Sequence, residues 1–123
     1  MRILALDLGK YKSVDCECAA ETGQHCFATI ATNPKALHDL IVDREPDRVV
    51  EISSIAGWVS DLVRSLGIEL QVANTTDERW RWRQVKQEND RRDALKAAQL
   101  SAVNQLSLVH VPQIDVRQWR ALI

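Results

Sequence analysis

Two acidic side chains lie at the ends of predicted strands, where they could meet a ligand. Asp7 is at the carboxyl end of an apolar run over residues 3–8, and Glu51 follows Val49 and Val50. Short apolar runs predict buried strands, and ligands of open α/β sheets bind outside the carboxyl ends of the strands. An acid in such a place is desolvated without compensation unless a cation meets it. Asp7 and Glu51 are therefore candidate metal ligands from two separate strands.

A second pair of acids, Asp90 and Asp93, lies at the start of a predicted helix. Residues three apart share one face of a helix, with Cβ atoms about 5–6 Å apart. Either acid alone is also typical of a helix cap, or of a first-turn residue that interacts favourably with the helix dipole. The spacing leaves both interpretations open.

Together the four acids have the chemistry of a site for hard divalent cations. Carboxylates that converge repel one another, and bound cations remove that repulsion. Oxygen ligands favour Mg²⁺ or Mn²⁺. Two such ions about 3.5–4 Å apart stabilise the attacking and leaving oxygens of an in-line phosphoryl transfer. Asp7 and Glu51, joined by Asp90 and Asp93 if these two are not caps, could converge as the metal ligands and catalytic residues of such a two-ion site.

Positive charge is concentrated in one part of a chain whose formal net charge is −1. Residues 78–96 hold seven basic residues against four acidic ones, and this local excess favours contact with DNA phosphates. The candidate DNA-binding residues are Lys10, Lys12, Arg79, Arg81, Arg83, Lys86, Arg91 and Arg92. The two lysines lie on a predicted surface turn, where lysines are usually only solvated. Trp80 and Trp82 could stack on bases or pack on the core.

Hydrophobic periodicity predicts the elements that position these residues. Strands are predicted at residues 3–8, 13–19, 25–30, 48–52 and 68–73. Helices are predicted from Thr32 or Asn33 to before Pro46, from a cap at Ser54 to Gly67, over residues 89–105, and from Asp115. The order predicts an α/β fold with a five-stranded mixed sheet, three strands antiparallel and two parallel, and helices on both faces. RNase H-like nucleases have this order of elements.

The composition limits the class of protein. A chain of 123 residues, 46% apolar and 27% charged, has the size of one globular domain. It is too short for a two-lobed fold that closes around a nucleotide. The first residues have neither the apolar stretch of a membrane anchor nor a cleavage site, so we expect a cytoplasmic protein with no membrane partner.

Three cysteines, Cys16, Cys18 and Cys26, lack the CxxC spacing of zinc ligands. Cys16 and Cys18 are two apart in a predicted strand and therefore point to the same face. We predict that all three are small apolar core residues of a protein in a reducing compartment.

Four segments carry a resemblance to a known family. ILALDLGK, VVEISSIAGWVSDLVRSLG, IELQVANTT and NDRRDALKAAQLS are together similar to the amino-terminal domain of the DEDD transposases of the insertion-sequence 110 group, which looks like the RuvC Holliday-junction resolvase. The resemblance implies an RNase H-like (RuvC-like) nuclease domain over residues 1–110. Residues 111–123 would then start a linker or helix leading to a carboxyl-terminal domain. By the same match, the four metal-binding acids are Asp7, Glu51, Asp90 and Asp93.

The resemblance also implies an activity and partners. Members of this family cleave and exchange DNA strands during transposition with Mg²⁺ at the acids, so the expected partner is DNA. A guide RNA and a second subunit, forming a homodimer, are further expected partners of the full-length protein. Members of the family carry a serine in the carboxyl-terminal domain that looks like the nucleophile. No serine of this chain is assigned that role.

Two stretches depart from the family pattern. Where members commonly have Thr-Gly after the glutamate, this chain has Ser53 and Ser54, and where they have Lys-Thr before the third acid, it has Glu88 and Asn89. The four acids are unaffected. Lys86 is the candidate to replace the missing lysine.

Two other classes of function remain open. Leu-Asp-Leu-Gly at residues 6–9, followed by a hairpin, also resembles the phosphate loop of actin-like sugar kinases and chaperone ATPases. That function needs a second lobe and a second glycine-rich loop, which a chain with four glycines does not offer. The other alternative is a non-catalytic module for DNA docking or dimerisation, whose acids bind no metal. Saturable binding of Mg²⁺ or Mn²⁺ distinguishes the enzyme from this module.

Overall fold

Five strands and three helices make up the part of the chain that the structure describes. The structure is a computed structural model; it describes residues 1–52, 57–73, 90–106 and 108, with Asp90 described by its backbone alone. The elements are β1 (Arg2–Asp7), β2 (Lys12–Ala19), β3 (His25–Ala31), α1 (Pro34–Arg44), β4 (Arg48–Ile52), α2 (Gly57–Ser65), β5 (Glu69–Val72) and α3 (Asp90–Ala102). This order confirms the prediction. The predicted cap at Ser54 and the predicted helix from Asp115 lie outside the described residues.

The strands form one mixed sheet in the order β3-β2-β1-β4-β5. β2 pairs antiparallel with β1 and β3, while β4 pairs parallel with β1 and β5. The hairpin between β2 and β3 turns at Gly23, whose φ of +75° suits a residue without a Cβ. Parallel pairs need long crossovers, which α1 and α2 supply. The predicted α/β class with a five-stranded mixed sheet is therefore confirmed.

Helix α3 covers one side of the sheet, which we call the α3 face. Its buried residues are Ile3, Ala5, Cys16, Cys18, Val50, Ile52 and Ala73, with Ala94, Ala97 and Ala98 of α3. Two of the cysteines are thus core residues, as predicted. The prediction for Cys26 is wrong, since its side chain is exposed on β3, an edge strand that the rest of the described fold covers only in part.

Helices α1 and α2 cover the opposite side, which we call the α1/α2 face. Its buried residues are Leu4, Leu6 and Val49 of the sheet, with Leu37, Leu40, Ile41, Val59 and Val63 of the helices. Asn33 caps α1, because its Oδ1 accepts a hydrogen bond of 2.8 Å from the Ala36 amide. Thr32, the other predicted cap, shares a hydrogen bond of 2.6 Å with the Ser13 hydroxyl instead.

Helix α3 crosses the sheet from β3 toward β5. In its first turn, the Arg91 guanidinium lies near the Phe27 ring of β3. Near its carboxyl end lies Ser101, whose carbonyl and hydroxyl oxygens accept from Arg48 Nη1 at 3.2 and 3.1 Å. The Ser101 hydroxyl in turn donates to Gln71 Oε1 at 2.7 Å. The carboxyl end of α3 therefore lies beside β4 and β5.

Three elements end earlier than predicted; β1 stops at Asp7, one residue before its predicted end. β5 stops at Val72, and Ala73 forms only an isolated bridge with Leu108. α3 stops at Ala102, and Asn104 just beyond it has a φ of 57°, a left-handed conformation that asparagine tolerates and that ends helices. No helix in the described ranges is long and apolar enough to cross a membrane.

Candidate metal and nucleic-acid site

Asp7 is the last residue of β1 and points to the α3 face. Ile3 and Ala5 belong to the core of that face, and the alternation of side chains along the strand continues to Asp7. The residue is 8% exposed. The structure thus places an acid at the end of this apolar strand, where the core meets solvent.

Asp93 lies on the same side of the sheet, on the buried side of α3, and is 5% exposed. The structure therefore places Asp7 and Asp93 on one face of the sheet.

Asp90 is the first residue of α3. It precedes Asp93 by three residues, less than one turn of the helix. Its side chain is outside the described part of the chain.

Glu51 lies on the opposite face from Asp7. Its register partner on β1 is Leu6, which belongs to the core of the α1/α2 face together with Val49. The residue is 1% exposed, so its carboxylate lies within the fold. An ion held by both Glu51 and Asp7 must therefore lie beyond the strand ends, where side chains from both faces can reach it.

The turn between β1 and β2 places two lysines beside Asp7. A Cβ on Gly9 would lie 2.4 Å from the carbonyl oxygen of Lys12, so this close turn requires glycine. Lys10 and Lys12 are exposed, and Lys10 Nζ lies 5.3 Å from the centre of the Tyr11 ring. Both lysines lie at the carboxyl edge of β1.

Two arginines lie in the first turn of α3, the helix that carries Asp93. Arg91 and Arg92 are exposed, and the Arg91 guanidinium lies 5.7 Å from the centre of the Phe27 ring on β3. Of the candidate DNA-binding residues, Lys10 and Lys12 thus border the edge that holds Asp7. The other candidates, Arg79, Arg81, Arg83 and Lys86, lie outside the described residues.

Asp7 and Asp93 suit a hard cation, because their ligand atoms are carboxylate oxygens. Within residues 1–52, 57–73 and 91–106, no group of three or more His, Cys, Asp or Glu side chains is arranged to hold a metal ion. The side chain of Asp90 is not part of that comparison. Of the four predicted ligands, Asp7 and Asp93 share one face. The convergence of all four acids stays a prediction.

Asp15 is a buried acid that the motifs did not single out. It is 0% exposed and lies on the α1/α2 face of β2. Burial raises the pKa of its carboxyl to about 6, while the positive charge of Arg44 lowers this pKa and the negative charge of Glu17 raises it. Alternation along β2 is the signal that could have found it: if Cys16 and Cys18 face one core, Asp15 faces the other.

Comparisons with protein-family models and with curated sequences give no relative. No protein-family model matches the chain. No curated protein sequence matches it either. Function is therefore inferred from the site itself and from the resemblance of its motifs to the DEDD transposases.

Proposed function

We propose that this chain is the RNase H-like, metal-dependent catalytic domain of an enzyme that cleaves and exchanges DNA strands during transposition. The observation that supports it is that two buried acids, Asp7 of β1 and Asp93 of α3, share the α3 face. The exposed Lys10 and Lys12 lie in the turn that follows Asp7. Buried acids beside exposed cations suit a divalent cation and the phosphate groups on which it acts.

Asp7, Asp90 and Asp93 would hold Mg²⁺ or Mn²⁺, with Glu51 as the fourth ligand that the motif resemblance implies. Bound there, two ions would supply Lewis-acid stabilisation of the attacking and leaving oxygens in phosphoryl transfer. The chain itself contributes by holding the metal ligands in position. β1 and α3 are packed on a shared core, so the acids on these elements are placed by the fold itself.

The exposed cations Lys10, Lys12, Arg91 and Arg92 bind the DNA backbone in this proposal. Contacts to phosphates fix where DNA lies without reading its sequence. A DNA strand held along the carboxyl edge of β1 presents a phosphate to Asp7. The net charge of −1 gives no attraction over the whole chain, so binding depends on this local group.

A non-catalytic module for DNA docking or dimerisation is the second candidate function. The position of Glu51 on the α1/α2 face, away from Asp7, is the observation that favours it. In this case the acids bind no metal, while the exposed cations still contact phosphates. The two functions therefore differ in metal binding.

Metal binding by the 123-residue chain tests the proposal. We expect Mn²⁺ or Mg²⁺ to raise Tm in a saturable way, because a ligand that binds only the folded state stabilises it. Asp7→Asn and Asp93→Asn should each remove most of this rise while folding normally without metal. Asp15→Asn is the matched control, since it removes a buried carboxylate from the other face and should keep the metal response.

The same titration decides the role of Glu51. Loss of the metal response in Glu51→Gln shows that this side chain reaches the ion beyond the strand ends. An unchanged response leaves the remaining three acids as the ligand set. A wild-type chain whose Tm does not respond to either metal contradicts the catalytic proposal and favours the docking module.

A further inference from the structure

Asp15 is a fully buried carboxylate that the proposed function does not use. It lies in the middle of β2, in register with Leu6 of β1 and Ala28 of β3, and it is 0% exposed. Both register partners are apolar. Helix α1 covers this side of the sheet through Leu37 and Ile41. The acid is therefore placed in surroundings that suit an uncharged side chain.

Neither carboxylate oxygen of Asp15 has a hydrogen-bond partner among the described residues. Buried polar groups are nearly always hydrogen-bonded, and a buried ionised carboxylate without partners is costly. Ser13, two residues earlier on the same face, pairs its hydroxyl with Thr32 instead. The site therefore favours the neutral form of the acid, which carries a proton.

The charged groups around Asp15 are largely engaged with one another. Arg44, at the end of α1, is the cation whose charge lowers the pKa of Asp15. Its Nη1, however, donates a hydrogen bond to Glu17 Oε2 at 2.5 Å. Glu17 also pairs with Arg2 Nε at 3.3 Å. From β4, Glu51 places a further acid on this face. The positive charge of Arg44 therefore offsets the burial of Asp15 only in part.

We propose that Asp15 is a proton-binding site that governs how firmly α1 is held against the sheet. With the proton bound, a neutral carboxyl lies beneath the apolar side of α1. When the proton leaves, the buried charge is stabilised by hydration, and water reaches it most directly if α1 moves away from the sheet. Proton binding and docking of α1 are therefore linked.

The direction of the pH effect follows from the burial. Burial raises the pKa of Asp15 from 3.8 to about 6, Arg44 lowers it, and Glu17 raises it. Because this pKa is higher in the folded state, the folded state holds the proton more tightly. The stabilisation by the bound proton is full below about pH 4 and is lost as the pH rises to about 6. Above that, the contribution of Asp15 to the free energy of unfolding changes little. The shift corresponds to a loss on the order of 100-fold in the folding equilibrium constant.

Thermal unfolding of the chain between pH 4 and 8 tests the linkage. We expect the Tm of the wild type to fall between about pH 4 and 6, and Asp15→Asn to remove most of that fall and to raise Tm at pH 7. Asp39→Asn is the control, because it removes an exposed acid from the same helix and should keep the wild-type pH dependence. If Asp15→Asn keeps the wild-type fall, the proposal is wrong.

Two further measurements locate the effect. At pH 7, the amides of α1 should exchange hydrogen more slowly in Asp15→Asn than in the wild type, with a smaller change in β1; equal changes in both elements would overturn the role of α1. An NMR titration of the Asp15 carboxyl in the wild type needs no variant to fold. A midpoint near 6 supports the proposal, and a midpoint near 4 rules it out.

Discussion

The two faces of the sheet both bury carboxylates, but in different surroundings. On the α3 face, Asp7 lies at the carboxyl edge of the sheet, next to the exposed Lys10 and Lys12. On the α1/α2 face, Asp15 lies in the middle of a strand between the apolar residues Leu6 and Ala28. Asp7 is 8% exposed and Asp15 is 0% exposed. An acid at the edge is open to cations from solvent, whereas burial in the middle of the strand raises the pKa of Asp15 to about 6.

The two faces also differ in how the helices are packed. Helix α3 contacts the sheet through Ala94, Ala97 and Ala98, whereas α1 contacts it through larger residues such as Leu37 and Ile41. Small side chains let a helix approach a sheet closely, and they leave little space for a larger residue. The acids on the α3 face are therefore held by close packing, while those on the other face lie beneath a layer of larger side chains.

Truncation on the α1/α2 face should give the largest effect. Leu37→Ala leaves a cavity beneath α1, and we expect the free energy of unfolding to fall by about 2–5 kcal/mol, measured by urea denaturation. Val42→Ala, at an exposed position of the same helix, is the control and should cost far less. A loss from Leu37→Ala as small as that of the control would mean that α1 is not packed on the sheet as described.

Enlargement on the α3 face should give an intermediate effect. Ala97→Leu forces α3 away from the sheet, and we expect a loss of about 1–3 kcal/mol in the same urea measurement. Because the acids of α3 move with the helix, the metal-induced rise in Tm should also decrease. Gln99→Leu places the same side chain on the exposed side of α3 and should leave both quantities nearly unchanged. If Ala97→Leu is equally harmless, the close approach of α3 is refuted.

Removal of single candidate DNA-binding cations should give the smallest effect. Lys12→Ala or Arg92→Ala should weaken DNA binding for all sequences and reduce its salt dependence by about one charge each. Fluorescence anisotropy with labelled DNA at several salt concentrations measures this. Arg64→Ala, in the last turn of α2 and thus toward the opposite edge of the sheet, is the matched control. An equal loss from Arg64→Ala would show that Lys12 and Arg92 have no special role.

Much of the fold was predictable because its signals are local. Alternation and apolar runs located the strands, and Asn33 before Pro34 marked the start of α1, since a cap and a proline act within one helical turn. The site was predictable only in part. Asp7 at the end of β1 and Asp93 in the first turn of α3 follow from such local patterns. Cys26 was misjudged because a pattern does not tell an edge strand from a central one.

The sequence by itself determined which residues form strands and helices and that Asp7 lies where a strand ends. Only the tertiary structure decided which acids share a face. Glu51 pairs in register with Leu6, and the pleat therefore directs it away from Asp7. Register depends on hydrogen bonds between strands far apart in the chain, and a shift of one residue moves every side chain to the other face. For the same reason, only the paired strands show that Asp15 is enclosed beneath α1.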